Sequence, residues 1–217
     1  FGIVALTALP KDRPAVHATG VSGLHFGPVL KDRGFVLFLV ASLLGSLVYM
    51  QCNSTFALQI KAYGFSDVVY GALISLNGLL VLFLELPITS LTQRPKAYST
   101  MMLGLVMVGL GFFTTAYAIT IWLLAFAVVL WTLGEIIFAP VASAFVADSA
   151  PDHLRGRYQG AWGVTYGLGL VLGPTLGTFI FSRNPTALWA SCLLVSCAAA
   201  ALLLIMQRLN EREQADE

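Results

Sequence analysis

Charged residues are scarce in this sequence. Asp, Glu, Lys and Arg make up only 11% of the 217 residues, against roughly 25% in soluble domains. The net charge of +1 provides no strong field for nucleic acid, so we expect no such partner. Hydrophobic residues form 58% of the chain, which is more than one soluble core can bury. The composition therefore indicates a membrane protein.

Motifs for metal binding and catalysis are also missing. The three cysteines, Cys52, Cys192 and Cys197, lie in apolar runs without CxxC or His-paired spacing, so neither a zinc site nor a disulfide framework is indicated. The three histidines fall in predicted loops without clustering, and neither HExxH nor GxSxG occurs. We therefore expect no metal, no cofactor, no catalytic residue and no enzyme activity.

Long apolar runs are what the sequence does contain. A helix that crosses a membrane needs about 20 mostly apolar residues. Six runs meet or nearly meet this requirement, at roughly 35–60, 68–91, 98–118, 121–146, 158–181 and 187–206. They predict an all-α integral membrane protein in which residues 34–207 form a bundle of six transmembrane helices.

The segments around this bundle predict its orientation. Residues 1–10, FGIVALTALP, look like the end of an earlier span, so we expect the chain to be part of a longer protein. Residues 11–33 form a long charged connection, and residues 208–217 form a polar tail that we expect to fray. With the connection in the cytoplasm, ten of the twelve Lys and Arg residues are cytoplasmic, as the positive-inside rule prefers. Both chain ends are then cytoplasmic as well.

Glycines spaced four residues apart mark the fifth span, within the stretch GLGLVLGPTLG. Such a row lets two helices approach closely in lipid, where small residues form the contacts. Pro174 removes a backbone donor and predicts a bend near Gly173. The row is either a plain packing face or part of a gating helix, and the two interpretations are compatible. It consists of Gly169, Gly173 and Gly177, and Gly163 and Gly167 form a second pair.

The loop VADSAPDHLRGRYQG joins the fourth and fifth spans and carries charges of both signs. Arg155 and Arg157 can pair with Asp148 or Asp152, or with lipid phosphates. The arginines are therefore either membrane anchors or members of a gating salt bridge.

One long stretch, LGEIIFAPVASAFVADSAPDHLRGRYQGAWGVTYGLGLVLGPTLG, resembles the tenth and eleventh helices of major facilitator superfamily transporters. Its Gly-Glu followed by Pro, its Arg-Gly-x-Tyr-x-Gly and its Gly-Pro helix are similar to the bacterial drug:proton antiporter branch. The stretch LELPITSLTQRPKAYSTMMLGL resembles the loop motif between helices two and three. There Thr92-Gln93-Arg94 replaces the usual Asp, so the gating interaction of that loop is not carried over.

The resemblance covers the whole chain and implies the second half of a twelve-helix fold. Residues 1–10 would end helix six, residues 11–33 would link the halves, and the six spans would be helices seven to twelve. It further implies a bacterial cytoplasmic membrane protein whose partners are the lipid bilayer and an N-terminal six-helix half. A small-molecule substrate would bind between the halves, against helices seven, eight, ten and eleven.

Polar side chains within these four helices are the candidate cavity residues. Tyr49 and Asn53 lie four apart and share a helical face, so they either contact a ligand or bond a neighbouring helix. Asn77, near mid-helix, has the same two interpretations. Trp131, one turn before Glu135, is either an aromatic wall for a lipophilic cation or a core residue. The candidates are Tyr49, Asn53, Asn77, Trp131 and Tyr166.

Two carboxylates within the spans differ in position. A charged acid at mid-bilayer costs roughly 2.5–3.5 kcal/mol on insertion scales, so Glu135 should face a cavity or a partner. We hypothesise that Glu135 binds a proton in one state and releases it when cationic substrate or water arrives. Alternatively, Glu135 only fixes a neighbouring helix through a hydrogen bond. Glu85 lies near the cytoplasmic end of its span, where Arg94 can reach it, and we interpret these two residues as a structural pair.

Three functions remain open. The first is a secondary active transporter that exports small lipophilic or cationic compounds by alternating access while protons enter. The second is uptake or facilitated diffusion of a polar metabolite on the same fold. The third is a membrane enzyme or a structural membrane protein without transport activity. A carrier of polar metabolites should show more Asn, Gln and charged residues in its helices, so we favour export.

Overall fold

The computed structural model describes residues 27–92 and 97–216, and every regular element in these two ranges is helical. Eight α-helices follow one another within these ranges: α1 Gly27–Lys31, α2 Arg33–Tyr49, α3 Thr55–Ala62, α4 Asp67–Thr92, α5 Ala97–Thr115, α6 Ile121–Ser149, α7 Arg155–Arg183 and α8 Pro185–Asp216. Two short 3-10 helices, Met50–Asn53 and Asp152–Leu154, precede α3 and α7. The expected span end at 1–10, residues 11–26 of the expected linker, and Arg94 lie outside the described residues.

In the described part of the chain, six helical segments are long and apolar enough to cross a membrane, namely Arg33–Asn53, Asp67–Ser90, Ala97–Thr115, Ile121–Ser149, Asp152–Arg183 and Pro185–Arg212. The predicted all-α membrane fold with six spans is confirmed. The end of the chain differs from the prediction, because α8 continues as a helix to Asp216 instead of fraying from residue 208. Its last turns are rich in good helix formers, and Gln207 donates to Glu211 across 2.8 Å, one turn further on.

Local sequence explains where several helices begin. Asp32 precedes α2 and accepts a hydrogen bond from the backbone N–H of Phe35 at 2.9 Å. Thr120 caps α6 in the same way by accepting from the N–H of Leu123 at 3.3 Å. Such side chains satisfy amide groups that have no partner in the first helical turn. Gly64, at φ 82°, makes the left-handed turn between α3 and α4, a conformation that favours glycine.

We call residues 33–62, which comprise α2, the 3-10 turn and α3, the first span, and this span is broken rather than continuous. α2 ends at Tyr49, a 3-10 turn follows, and Ser54 leaves the helical region at φ −133° and ψ −86° before α3 begins. Side chains satisfy the backbone around this break, which the absence of water in a bilayer requires. The Ser54 hydroxyl donates to the Met50 carbonyl at 3.1 Å, and the Tyr70 hydroxyl donates to the Cys52 carbonyl at 3.2 Å.

The helices pack as an antiparallel bundle in which α5 lies between α6 and α8, α2 contacts α7 and α8, and α4 contacts α6. We call one end of the bundle the basic end, defined by Lys31, Arg33, Arg155, Arg157 and Arg208. An apolar cluster around Phe35, Phe38 and Met101 fills that end. A second cluster fills the opposite end, where Phe112 stacks on Trp131 and Trp189 at centroid distances of 5.5 and 6.1 Å.

α5 and α6 approach each other closely at two glycines. A Cβ on Gly134 would lie 2.6 Å from the Gly104 carbonyl oxygen, and a Cβ on Gly104 would lie 2.8 Å from that of Gly134. Neither separation is sterically possible without backbone movement, so both positions require glycine. This contact places the backbone next to Glu135 firmly against α5.

Candidate functional site

Glu135 lies at the middle of α6, fourteen residues from each helix end. Both of its carboxylate oxygens accept hydrogen bonds from other spans. The Tyr49 hydroxyl at the end of α2 donates to Oε1 at 2.6 Å, and the Asn77 side-chain amide of α4 donates to Oε2 at 3.2 Å. The carboxylate therefore joins three spans at the level where α2 ends and the helix break begins.

Thr132, which was not among the predicted site residues, extends this group. The Asn77 amide also donates to the Thr132 hydroxyl at 3.0 Å, and Thr132 is fully buried. Thr132 stands three residues before Glu135 and therefore shares its helical face, a spacing that could have indicated it. We call Tyr49, Asn77, Thr132 and Glu135 the Glu135 network.

A cavity of about 410 Å³ opens beside the Glu135 network. Its hydrogen-bonding side chains are few and belong to Ser42, Ser46, Tyr49, Glu135, Trp162 and Tyr166. Its aromatic side chains belong to Phe138 of α6 and to Trp162 and Tyr166 of α7. The cavity is thus an apolar, aromatic space with one acid in its wall, a composition that suits a small lipophilic molecule bearing positive charge.

The predicted cavity residues have different locations. Tyr49 and Tyr166 line the cavity, whereas Asn77 is half-buried within the Glu135 network. Asn53 is exposed and does not line the cavity. The 3-10 turn before it has about three residues per turn, so Tyr49 and Asn53 do not share a face as they would in an α-helix.

Trp131 is a core residue in this structure. Its side chain is fully buried, stacked on Phe112 and edge-on to Tyr49 at a centroid distance of 6.2 Å. It does not line the cavity, so the aromatic wall expected from Trp131 is supplied by Phe138, Trp162 and Tyr166. Trp131 instead packs behind the tyrosine that binds Glu135.

The glycine row of α7 lies directly against α2. A Cβ on Gly169 would lie 2.5 Å from the Ser46 Cβ, and one on Gly173 would lie 2.7 Å from the Met50 Cβ. A Cβ on Gly177 would overlap the side-chain amide of Gln51. Pro174 lies within this helix, and all three glycines are buried. The row therefore brings α7 into backbone contact with the broken span.

Gln51 fills the space that Gly177 leaves open. Its amide nitrogen donates to the carbonyl of Gly173 at 2.9 Å and to that of Leu47 at 2.8 Å. Its amide oxygen accepts from the Thr55 hydroxyl at 2.8 Å. A single buried amide thus connects α2, α3 and α7.

The predicted charged candidates lie near the basic end. Arg155 pairs with Asp152 at 3.1 Å, with both side chains largely exposed, while Asp148 is exposed at the end of α6. Arg157 is half-buried near the start of α7. Glu85 is exposed on α4, and its expected partner Arg94 lies outside the described residues.

Within residues 27–92 and 97–216, no three His, Cys, Asp or Glu side chains come together in an arrangement that could hold a metal ion. Cys52 and Cys192 are buried and Cys197 is exposed, and all three are free thiols. What the described site can do is accept hydrogen bonds, bind a proton or a cation at Glu135, and enclose an apolar molecule.

Sequence comparison adds an independent finding. The sequence profile of the Major Facilitator Superfamily matches residues 34–216. The chain is 32% identical over 152 residues to the uncharacterised MFS-type transporter YqjV of Bacillus subtilis. It is 26% identical over 171 residues to a Na(+), Li(+), K(+)/H(+) antiporter of Planococcus maritimus. It is 28% identical over 144 residues to the peptide transporter YePEPT of Yersinia enterocolitica.

These alignments cover 68%, 69% and 57% of this chain but only 36%, 39% and 28% of the three relatives. The chain thus matches less than half the length of each of them.

Proposed function

Since this chain belongs to the Major Facilitator Superfamily, we propose that it is the C-terminal six-helix half of a secondary active transporter. We assign it to the drug:proton antiporter branch, with export of small lipophilic or cationic compounds driven by proton entry. In this proposal the six spans are helices seven to twelve, residues 11–33 link the two halves, and an N-terminal half completes the substrate site.

The observation that carries the proposal is the carboxylate of Glu135 beside the cavity. Placing a charged acid at mid-span costs roughly 2.5–3.5 kcal/mol on insertion scales, and a purely structural contact between helices needs no acid. Glu135 is held by Tyr49 and Asn77 and also forms part of the cavity wall. It can therefore bind a proton in one state and a cationic substrate in another, which makes the two ligands compete.

The cavity supports a lipophilic substrate rather than a polar one. Aromatic and aliphatic side chains form most of its wall, and Glu135 is the one carboxylate among the side chains that line it. An uptake carrier for a polar metabolite would need more hydrogen-bonding groups to replace the water lost by its substrate. This contrast keeps uptake or facilitated diffusion as the weaker alternative.

Alternating access needs helices that move against each other. The glycine row of α7 allows close contact with the broken first span and little steric resistance to sliding. Asp148, Arg155 and Arg157 lie where α6 and α7 meet at the basic end. We place the inward gate there, with the Arg155–Asp152 pair as one of its contacts.

The proposed location is the bacterial cytoplasmic membrane. The bundle has six candidate spans, and its basic end would face the cytoplasm by the positive-inside rule. α4 and one side of α7 expose large apolar side chains, including Leu82, Phe83 and Val171. We assign these surfaces to contact with lipid and with the N-terminal half.

A second candidate function is exchange of a monovalent metal cation for protons. The Tyr49 hydroxyl bonds the Glu135 carboxylate, the Thr132 hydroxyl bonds the same Asn77 amide as that carboxylate, and oxygen ligands suit hard cations. One relative carries the name of a Na(+), Li(+), K(+)/H(+) antiporter. The 410 Å³ cavity is larger than such an ion requires, so this candidate stands second.

Everted membrane vesicles that carry the full-length protein distinguish these candidates. Respiration acidifies the vesicle interior, and a fluorescent pH indicator reports proton release when a test compound is added. Release on adding tetraphenylphosphonium, a lipophilic cation, supports the proposal, whereas release only with sodium or potassium chloride supports the second candidate. Identical traces from vesicles with and without the protein, for all of these compounds, contradict both.

A further inference from the structure

Tyr49 and Gln51 are two residues apart at the helix break and bind two different spans. Tyr49 donates to Glu135 on α6, and Gln51 donates to the Gly173 carbonyl on α7. Between them lies Met50, the first residue of the 3-10 turn, whose side chain packs against Gly173. The break therefore connects the acid of the site to the glycine row.

The side-chain amide of Gln51 is held by specific hydrogen bonds and does not merely fill space. Its side chain is 3% exposed, and it bonds Leu47 before the break, Thr55 after it and Gly173 across it. Gly177 leaves the space that the amide occupies. Burying an amide is costly unless it is hydrogen-bonded, and a leucine of similar size would fill the same space without that requirement.

We infer that Gln51 is a positioning residue for Glu135, acting through Tyr49 and coupling α7 to the carboxylate. The inference rests on the proposed role of Glu135. A 3-10 turn has weaker hydrogen-bond geometry than an α-helix and often marks a hinge. When α7 moves, the Gly173 carbonyl carries Gln51 with it, the turn rotates, and the Tyr49 hydroxyl leaves or regains Glu135. Proton binding at Glu135 thereby follows the position of α7.

Other titratable groups near Glu135 are few among the described residues. The first span contributes Tyr49 and Cys52, α4 contributes Glu85, and α7 contributes Tyr166 across the cavity. On α5, Tyr98 lies at the basic end, where Asn210 donates to its hydroxyl at 2.6 Å. Each of these groups other than Tyr49 stays unchanged in the variants below.

Gln59 provides a matched control on the same span. It is also buried, at 5% exposure, and it also bridges two helices, since its amide oxygen accepts from the Trp189 indole of α8 at 2.8 Å. It lies beyond the break and has no contact with Tyr49 or Gly173 among those described. Gln59→Leu therefore removes a comparable buried bridge without touching the proposed coupling.

The test measures the pH dependence of tetraphenylphosphonium transport by the full-length protein in vesicles, at equal membrane abundance. We expect Gln51→Leu to shift the pH of half-maximal transport in the same direction as Tyr49→Phe. A shift of about one pH unit corresponds to a tenfold change in proton affinity. Gln59→Leu should leave this pH unchanged. A Gln51→Leu profile that matches wild type, or that moves no more than Gln59→Leu, overturns the inference.

Thermal unfolding of the purified protein tests the same link without transport. Residues in one hydrogen-bond network have non-additive effects, whereas independent residues have additive ones. The double variant with Gln51→Leu and Tyr49→Phe should have an unfolding temperature no lower than that of the less stable of the two single variants. In the double variant with Gln59→Leu and Tyr49→Phe, the two losses in unfolding temperature should add. Additive effects in the first pair overturn the inference. If transport by Glu135→Gln kept a normal pH dependence, the proposed function would be wrong. The unfolding comparison would still show whether Gln51 and Tyr49 are coupled.

Discussion

Two rows of glycine run along α7, and they differ in how closely other residues approach them. Gly169, Gly173 and Gly177 each lie against the first span, where an added Cβ would collide with Ser46, Met50 or Gln51. The other row, formed by Gly156, Gly160, Gly163 and Gly167, has no atom within 4 Å of an added Cβ in the described part of the chain. Glycines spaced three or four residues apart therefore permit close packing, but the spacing does not say which row is used within these six spans.

The two rows of glycine therefore have different contact partners. The packed row joins α7 to the helix break and hence to Tyr49 and Glu135. The open row faces outward from the bundle, and Gly163 also lines the cavity. In the proposed function, an N-terminal half covers this outward face, so both rows serve close contact but with different partners.

Among substitutions in α7, the largest expected effect comes from filling the packed row. Gly173→Leu should reduce transport by more than about tenfold in the full-length protein, because the new side chain forces α7 away from Met50. Leu172→Ala, at the neighbouring exposed position, should have little effect. Tetraphenylphosphonium flux at equal membrane abundance measures both. Normal flux in Gly173→Leu would show that the packed row is no working interface.

Filling the open row should have an intermediate effect, and we expect it only in the full-length protein. Gly167→Leu should leave the unfolding temperature of residues 1–217 expressed alone unchanged, since no described atom lies near the added side chain. In the full-length protein the same change should lower transport several-fold, because two halves that meet at this row can no longer approach. Equal transport by Gly167→Leu and wild type would mean that the row faces lipid.

The smallest effect is expected at the start of α7. Arg155 and Asp152 form an ion pair whose side chains are 63% and 94% exposed. Arg155→Ala should therefore change the free energy of unfolding by less than about 1 kcal/mol. Chemical denaturation at low and high salt measures this. A larger loss, insensitive to salt, would show that Arg155 makes a buried contact in the full-length protein.

The six spans could be predicted because each is a long apolar run with polar residues at its borders, which length and composition alone reveal. The break in the first span could not, since the sequence YMQCNST contains neither proline nor glycine. That break depends on partners distant in the chain, such as Tyr70 for the Cys52 carbonyl and Gly173 for Gln51.

The candidate site, like the fold, could be predicted in part from the sequence. Glu135 stands out because an acid in an apolar run is costly, and the donors that hold it, Tyr49 and Asn77, were among the polar candidates. Trp131 shows the limit of local spacing. It lies one turn from Glu135, yet Phe112 of α5 stacks on it and encloses it in the core. Which neighbour covers a helical face is decided by packing between spans.

Glu135→Gln in the full-length protein tests the central claim most directly, because glutamine keeps the shape of the side chain and removes its titration. Two measurements on the same vesicles are compared: proton-driven export of tetraphenylphosphonium, and its exchange across the membrane without a proton gradient. We predict that proton-driven export falls to the level of vesicles lacking the protein, while exchange persists. Export at the normal rate with an unchanged pH dependence would contradict the account and reduce Glu135 to a structural contact between spans.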